Sequence, residues 1–376
     1  MSGDAVTVGW DAGLEWPGLP PLADDVTADV CVVGLGASGL AAVEAARERG
    51  LTVVGLDAGR VAGGAAGRNG GFLLGGPAPF LHDALARWGE PAVALYRATL
   101  AELDRLAELL PGAVRRTGSI RLAGWPGAPD PDEAADCATH AAALREHSIA
   151  VEDYDGPLGT GIYLPDDAAM NPAARAFALA RRAADAGAVL REHSPVTGVV
   201  PGRVTTDAGA VSCGAVVVAV DGRLPAVLPA LAHRVRTARL QMLATGPVPP
   251  VLECPLYGRW GYDYVQQDPS GRVFAGGGRD RHEAAEWTDS AEPSVPVQAH
   301  VEAAVRALGV TASVTHRWAA SVGFTGDGRA LCVEVAPGVV GVGGYSGTGN
   351  LVGPVAARAG LARAVDGTAP PAYLAS

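Results

Sequence analysis

Residues 28–39, Ala28-Asp29-Val30-Cys31-Val32-Val33-Gly34-Leu35-Gly36-Ala37-Ser38-Gly39, carry an apolar, β-branched run straight into glycines spaced GxGxxG. The run reads as a short buried strand. An alanine-rich helical pattern follows to Gly50. A second strand, Leu51 to Leu56, then ends on Asp57, 23 residues after Gly34. Each position has a physical reason. Gly34 permits a tight turn, Gly36 lets backbone approach a pyrophosphate, and Gly39 lets helix and strand pack closely. The helix start at Ala37 and Ser38 offers free N–H groups and the positive end of a dipole. Asp57, followed by Ala58, is placed to accept hydrogen bonds from an adenosine ribose. The stretch therefore predicts a dinucleotide site.

Working outward, a third glycine-rich turn, Gly63 to Gly71, starts six residues past Asp57. It should return over the same cofactor, with Gly64, Ala65, Ala66, Gly67, Arg68, Asn69, Gly70 and Gly71 as candidate contacts. An NAD dehydrogenase needs no such turn. A flavoprotein does, because FAD is long and stays bound. Arg68 and Asn69 supply donors for the pyrophosphate or the flavin edge. Near the other end, Gly338 to Val342 reads as a strand, followed by Gly343-Gly344-Tyr345-Ser346-Gly347-Thr348-Gly349 and a helix from about Pro354 to Val365. A helix N-terminus there would set positive potential beside the flavin pyrimidine.

The remaining segments alternate. Residues 82–110 show helical spacing of leucines, and 115–123 reads as a strand. A helix over 133–147 carries His140 and His147 on one face, read as a solvated face rather than a metal site. Asn171-Pro172 opens another helix. Residues 214–222 form a buried strand ending in a turn, and 234–280 is a run of strands rich in arginine and aromatics. Residues 1–27, with Asp4, Trp10, Trp16 and several prolines, read as an irregular surface arm. The expected class is α/β, or α+β overall, with a Rossmann-like domain interleaved with a β-rich one.

Composition narrows the chemistry. At 376 residues and 48% hydrophobic, the chain can build large cores. It shows neither an apolar run of spanning length nor a basic leader, so no membrane span or signal peptide is expected. A net charge of -11 argues against nucleic-acid partners. Five scattered cysteines suit a reduced, cytoplasmic chain without a disulfide framework or a metal site. All 29 basic residues are arginine. The absence of lysine excludes Schiff-base and P-loop chemistry.

Taken in order, these motifs resemble the flavin-dependent D-amino-acid, glycine and sarcosine oxidase family, nearest the branch similar to γ-glutamylputrescine oxidase. The resemblance rests on Gly34–Gly39 with Asp57, Gly67-Arg68-Asn69-Gly70-Gly71, Met170-Asn171-Pro172, Pro195-Val196, Gly276-Gly277-Gly278-Arg279, Trp318 to Gly328, and Gly344 to Gly349. It implies an FAD domain built from 1–90, 166–222 and 313–376, and a substrate domain from 91–165 and 223–312. It also implies that Val196 backbone contacts the adenine half, Ala219 lies along the cofactor, and 343–349 contact the flavin ring. Substrate contacts would come from the 234–282 strands: Gln241, Arg259, Trp260, Tyr262, Tyr264 and Arg279, with Tyr345 from the last turn. The implied reaction is hydride transfer from an amine or amino acid to flavin N5, giving an imine. Flavin monooxygenation, or a flavin-binding subunit without amine oxidation, are the alternatives. Ala320 stands where the sarcosine-oxidase branch has its flavin-linking cysteine, so FAD should be non-covalent. The branch's oxygen-activating lysine is also missing, which leaves the electron acceptor as oxygen or another molecule.

Overall fold

A computed structural model of the chain describes residues 8–376. Asp4 of the N-terminal arm lies outside the described residues. The chain forms two compact units, each drawn from three segments.

One unit comprises Leu14–Gly67, Ala173–Ala238 and Ser321–Ser376. Its sheet has five parallel strands, in chain order Val26–Val33, Val53–Leu56, Val189–Arg191, Ala210–Val218 and Val339–Gly343. In space they run third, second, first, fourth, fifth, the doubly wound order. Leu331–Ala336 adds an antiparallel edge beside the fifth. The hairpin of Val196–Val200 and Arg203–Thr206 pairs with the start of the fourth. Val30 to Val33 are buried because both sheet faces are covered. Helices Ala37–Glu48 and Val352–Asp366 pack together on small residues, Ala41, Ala42, Ala356 and Ala357 among them. Arg358 ties them by ion pairs to Glu44 at 3.0 Å and Glu48 at 3.1 Å.

The other unit comprises Met1–Gly13 (described from residue 8), Arg68–Pro172 and Arg239–Ala320. Its main sheet has eight strands, ordered 314–324, 236–247, 272–276, 263–267, 256–258, 119–122, 159–164 and 152–156. Leu256–Gly258 runs parallel to Ser119–Leu122; the other pairings from 236–247 to 152–156 are antiparallel. One core joins Leu243, Val265 and Val273 to Val297, Val301 and Val305 of helix Val295–Ala307. A second gathers Phe72, Phe80, Tyr96, Leu144, Ile162 and Tyr257. The mixed α/β class is as the sequence reads. Among the described residues no helix is long and apolar enough to cross a membrane.

Two expectations need correction. The arm is irregular, but Trp10 is core, not surface. Its ring stacks on Phe274 at 3.4 Å and its indole N–H donates to Asn69 O at 2.8 Å, so burial leaves no polar atom wanting. His140 does not face solvent either. Its Nδ1 accepts the Leu81 N–H at 2.9 Å, at the start of helix Leu81–Trp88. Burial holds its pKa well below the usual range, so the ring is neutral and able to accept.

Candidate functional site

Four parallel strands of the doubly wound unit deliver the predicted residues to their carboxyl ends: Gly34 after the first, Asp57 after the second, Ala219 after the fourth, Gly344 after the fifth. Ligands of open α/β sheets bind at that edge. Gly34 has φ +97°, and a Cβ there would lie 2.6 Å from Ala219 O. A Cβ on Gly39 would lie 1.7 Å from Gly34 O, so only glycine lets this helix sit so close. Gly36 faces Ala66: its added Cβ would be 3.2 Å from the Ala66 methyl. Thus the third turn does come back beside the first.

Asp57 Oδ2 accepts Leu35 N–H at 2.8 Å and Oδ1 accepts Gly59 N–H at 2.9 Å. Burial pushes its pKa up while these bonds pull it down. Each oxygen keeps lone-pair capacity for a hydroxyl. The adjoining Ser194 N–H donates to Asp57 O at 2.8 Å, which brings Val196 to the same strand end. Ala58 is exposed there, and a Cβ on Gly64 would meet nothing.

Helices Ala37–Glu48 and Val352–Asp366 both start without a side-chain cap and without an acid in the first turn. Their starts adjoin, since a Cβ on Gly353 would meet Ser38 Oγ at 2.3 Å and the Tyr345 ring at 3.4 Å. Two helix starts free of acidic side chains, a half-buried ribose-type acid and a glycine cradle suit the pyrophosphate and ribose of FAD.

Sequence reasoning missed Asp221. It follows the fourth strand with φ +44°. Its Oδ1 accepts Gly344 N–H at 2.9 Å and Tyr345 N–H at 3.1 Å, and its Oδ2 accepts Gly323 N–H at 2.9 Å. Burial pushes its pKa up against those bonds. The last glycine turn therefore hangs on this carboxylate, with Ser346 N–H bonded to Gly323 O. The N–H groups of Gly347 and Gly349 have no partner among the described residues. The only local signal was an aspartate where a strand ends in a turn.

In the β-rich unit, Arg68 donates to Ala319 O at 3.1 Å and its own carbonyl accepts the Trp318 indole N–H. Asn69 Oδ1 accepts Gly71 N–H at 2.8 Å, and Gln266 donates to Gly70 O. The structure then sorts the predicted substrate residues. Tyr264 is beside this turn, 3.1 Å from a Cβ placed on Gly70. Gln241 is buried in a network with Glu286, Ser294 and Gln298. Arg259 pairs with Asp263 at 2.7 Å and with Asp280. Its guanidinium is thus already committed to two carboxylates. Trp260 and Tyr262 are exposed, and Arg279 lies over the Tyr262 ring at 5.5 Å and the Trp287 ring at 5.2 Å.

Known proteins can now be set beside this geometry. Residues 29–362 match the model of the DAO family, described as FAD dependent oxidoreductase. The probable oxidoreductase OrdL of Rhizobium meliloti (strain 1021) is 26% identical over 373 residues, covering 90% of this chain and 83% of that protein. Among solved structures, L-proline dehydrogenase from P. horikoshii superposes with a TM-score of 0.74 at 17% identity, covering 93% of this chain and 96% of that one. Glycine oxidase from Geobacillus kaustophilus gives 0.71 at 20% identity, over 92% and 96%.

Proposed function

The chain belongs to the FAD dependent oxidoreductase family, and from that premise we propose that it oxidises the C–N bond of an amine or amino acid to an imine, holding FAD without a covalent link. When bound, FAD supplies the two-electron acceptor, its N5 taking hydride from the carbon next to nitrogen while the nitrogen lone pair closes the C=N bond. The protein's own work is to bind and orient. The starts of helices Ala37–Glu48 and Val352–Asp366 would face the cofactor's negative charge, and Asp57 would accept from its ribose hydroxyls. The N–H groups of Gly347 and Gly349 would be available to the flavin, with Asp221 holding the turn that carries them. Ala320 offers a methyl group where a linking thiol would be needed. Water then hydrolyses the imine, and the electrons leave to oxygen or another acceptor.

The observation that carries this reading is the meeting of Asp57 and two uncapped helix starts at one sheet edge. Purified protein should be yellow, and acid should release its FAD into solution. Anaerobic mixing with a panel of amines and amino acids should bleach the flavin's visible band. A colourless protein that binds only a nicotinamide cofactor overturns the cofactor assignment, and flavin left in the acid pellet overturns the non-covalent link. Bleaching by no C–N substrate overturns the reaction.

A further inference from the structure

Near Asp57 in the doubly wound unit stands a second acid, Glu192, which directly follows strand Val189–Arg191 and is buried. Its Oε1 accepts the Trp16 indole N–H at 2.8 Å and the Val61 N–H at 2.5 Å, and its Oε2 accepts the Leu19 N–H at 2.7 Å. Two of these donors come from the N-terminal arm and one from the loop that carries Asp57. Ser194 adds a second stitch to the arm. Its hydroxyl accepts the Leu22 N–H at 2.8 Å and donates to Glu192 O at 2.8 Å. Trp16 also stacks on Phe177, with ring centres 4.9 Å apart, and Arg181 lies over its other side at 5.6 Å while donating to Glu15 O.

The Asp57 loop hangs on the same turn. Asp57 N–H donates to Arg191 O at 2.9 Å, Ser194 N–H to Asp57 O at 2.8 Å, and His193 N–H to Gly59 O at 2.8 Å. His193 holds φ +48°, a backbone state that persists only where neighbouring bonds sustain it. Burial, and in smaller part the charge of Glu192, push the Asp57 pKa up. Without the arm, the Glu192 side chain would keep the Val61 N–H alone of its three donors. A desolvated carboxylate left short of donors is costly, so the loop would have to shift or open to water. The arm's docking and the loop's position are thus set by one side chain.

We propose that residues 14–22 are a strap on the Asp57 loop, with Glu192 as the positioning residue that joins them, so that loosening the arm releases FAD from its adenosine end. This rests on the reading of Asp57 as the ribose acceptor of an FAD enzyme. Two variants of the holoenzyme test it. Trp16→Phe keeps a ring on Phe177 and removes the indole N–H, while Glu192→Gln keeps the shape and removes the charge. FAD release on dilution, read by the rise in free-flavin fluorescence, should quicken about tenfold or more in both, the worth of one hydrogen bond to a charged acceptor. Hydrogen exchange should quicken at 57–61 and stay at the wild-type rate at 343–349. Trp16, being half-buried, carries the test if the Glu192 variant does not fold. Wild-type release from a folded variant overturns the strap, and so does equal quickening at 57–61 and 343–349, which is a general loosening of the fold. Either result leaves the FAD reading standing. Wild type purified without FAD and unable to bind it overturns that reading and the strap together.

Discussion

Asp221 makes one side chain responsible for three backbone N–H groups, those of Gly323, Gly344 and Tyr345. Asp221→Ala would leave all three without an acceptor and should cost on the order of 3 kcal/mol. A lower Tm together with lower flavin occupancy is the expected result, and an unchanged Tm would contradict it. Asp167 acts differently, through protonation. Burial raises its pKa to about 7, against the pull of its bonds from Ser119 and Gly75. A carboxyl with a raised folded pKa binds its proton more tightly folded than unfolded. Its stabilisation is therefore complete below the unfolded value of 3.8 and is lost as pH rises through about 7. His140, with a depressed pKa, runs the opposite way and loses stabilisation as pH falls below 6.5. The difference between wild type and Asp167→Asn isolates the first effect. Relative to wild type, the asparagine variant should gain stability from pH 4 to pH 8, by up to a few kcal/mol. Thermal unfolding at those pH values reads it, and parallel curves would sink the assignment.

Among the elements, the two glycines of the first turn have separable duties. Gly39 has no room for a methyl group, since its Cβ would stand 1.7 Å from backbone Gly34 O. Gly39→Ala must push the helix off its strand and should abolish stable folding of this unit. Gly36 lies over open cradle and meets only the Ala66 methyl at 3.2 Å. Gly36→Ala should leave the apoprotein's unfolding free energy within about 1 kcal/mol of wild type while lowering FAD affinity tenfold or more, because the methyl occupies the space a pyrophosphate needs. Equal losses in both variants would mean that the turn is purely structural. The same turn was readable from sequence because everything it touches is short-range in kind: a strand, a helix start and an acid, in order. Arg259 and Gln241 were not readable in that way. Their neighbours Asp280, Glu286 and Gln298 come from other elements, and those partners decide that both side chains are already bonded.

For the whole molecule, what sequence could show follows from contact range. The opening strands, the glycine turns and the alternation of α/β with β-rich segments were legible because periodicity and turn chemistry are local. Burial of Trp10, the cap made by His140 and the clamp of Asp221 were not, because their partners lie at least 59 residues away. That same long-range assembly yields a test at the scale of the full chain. The proposed cofactor contacts come from segments around 34–39, 57–59, 219–221 and 343–353, all within the unit of Leu14–Gly67, Ala173–Ala238 and Ser321–Ser376. A ligand that binds only the folded form stabilises what it touches, by about 2.7 kcal/mol at a hundredfold excess over Kd. In hydrogen exchange, FAD should therefore slow these segments in parallel, although they are scattered over more than three hundred residues. Protection by FAD confined to 34–57 would mean that the last glycine turn takes no part in holding the cofactor.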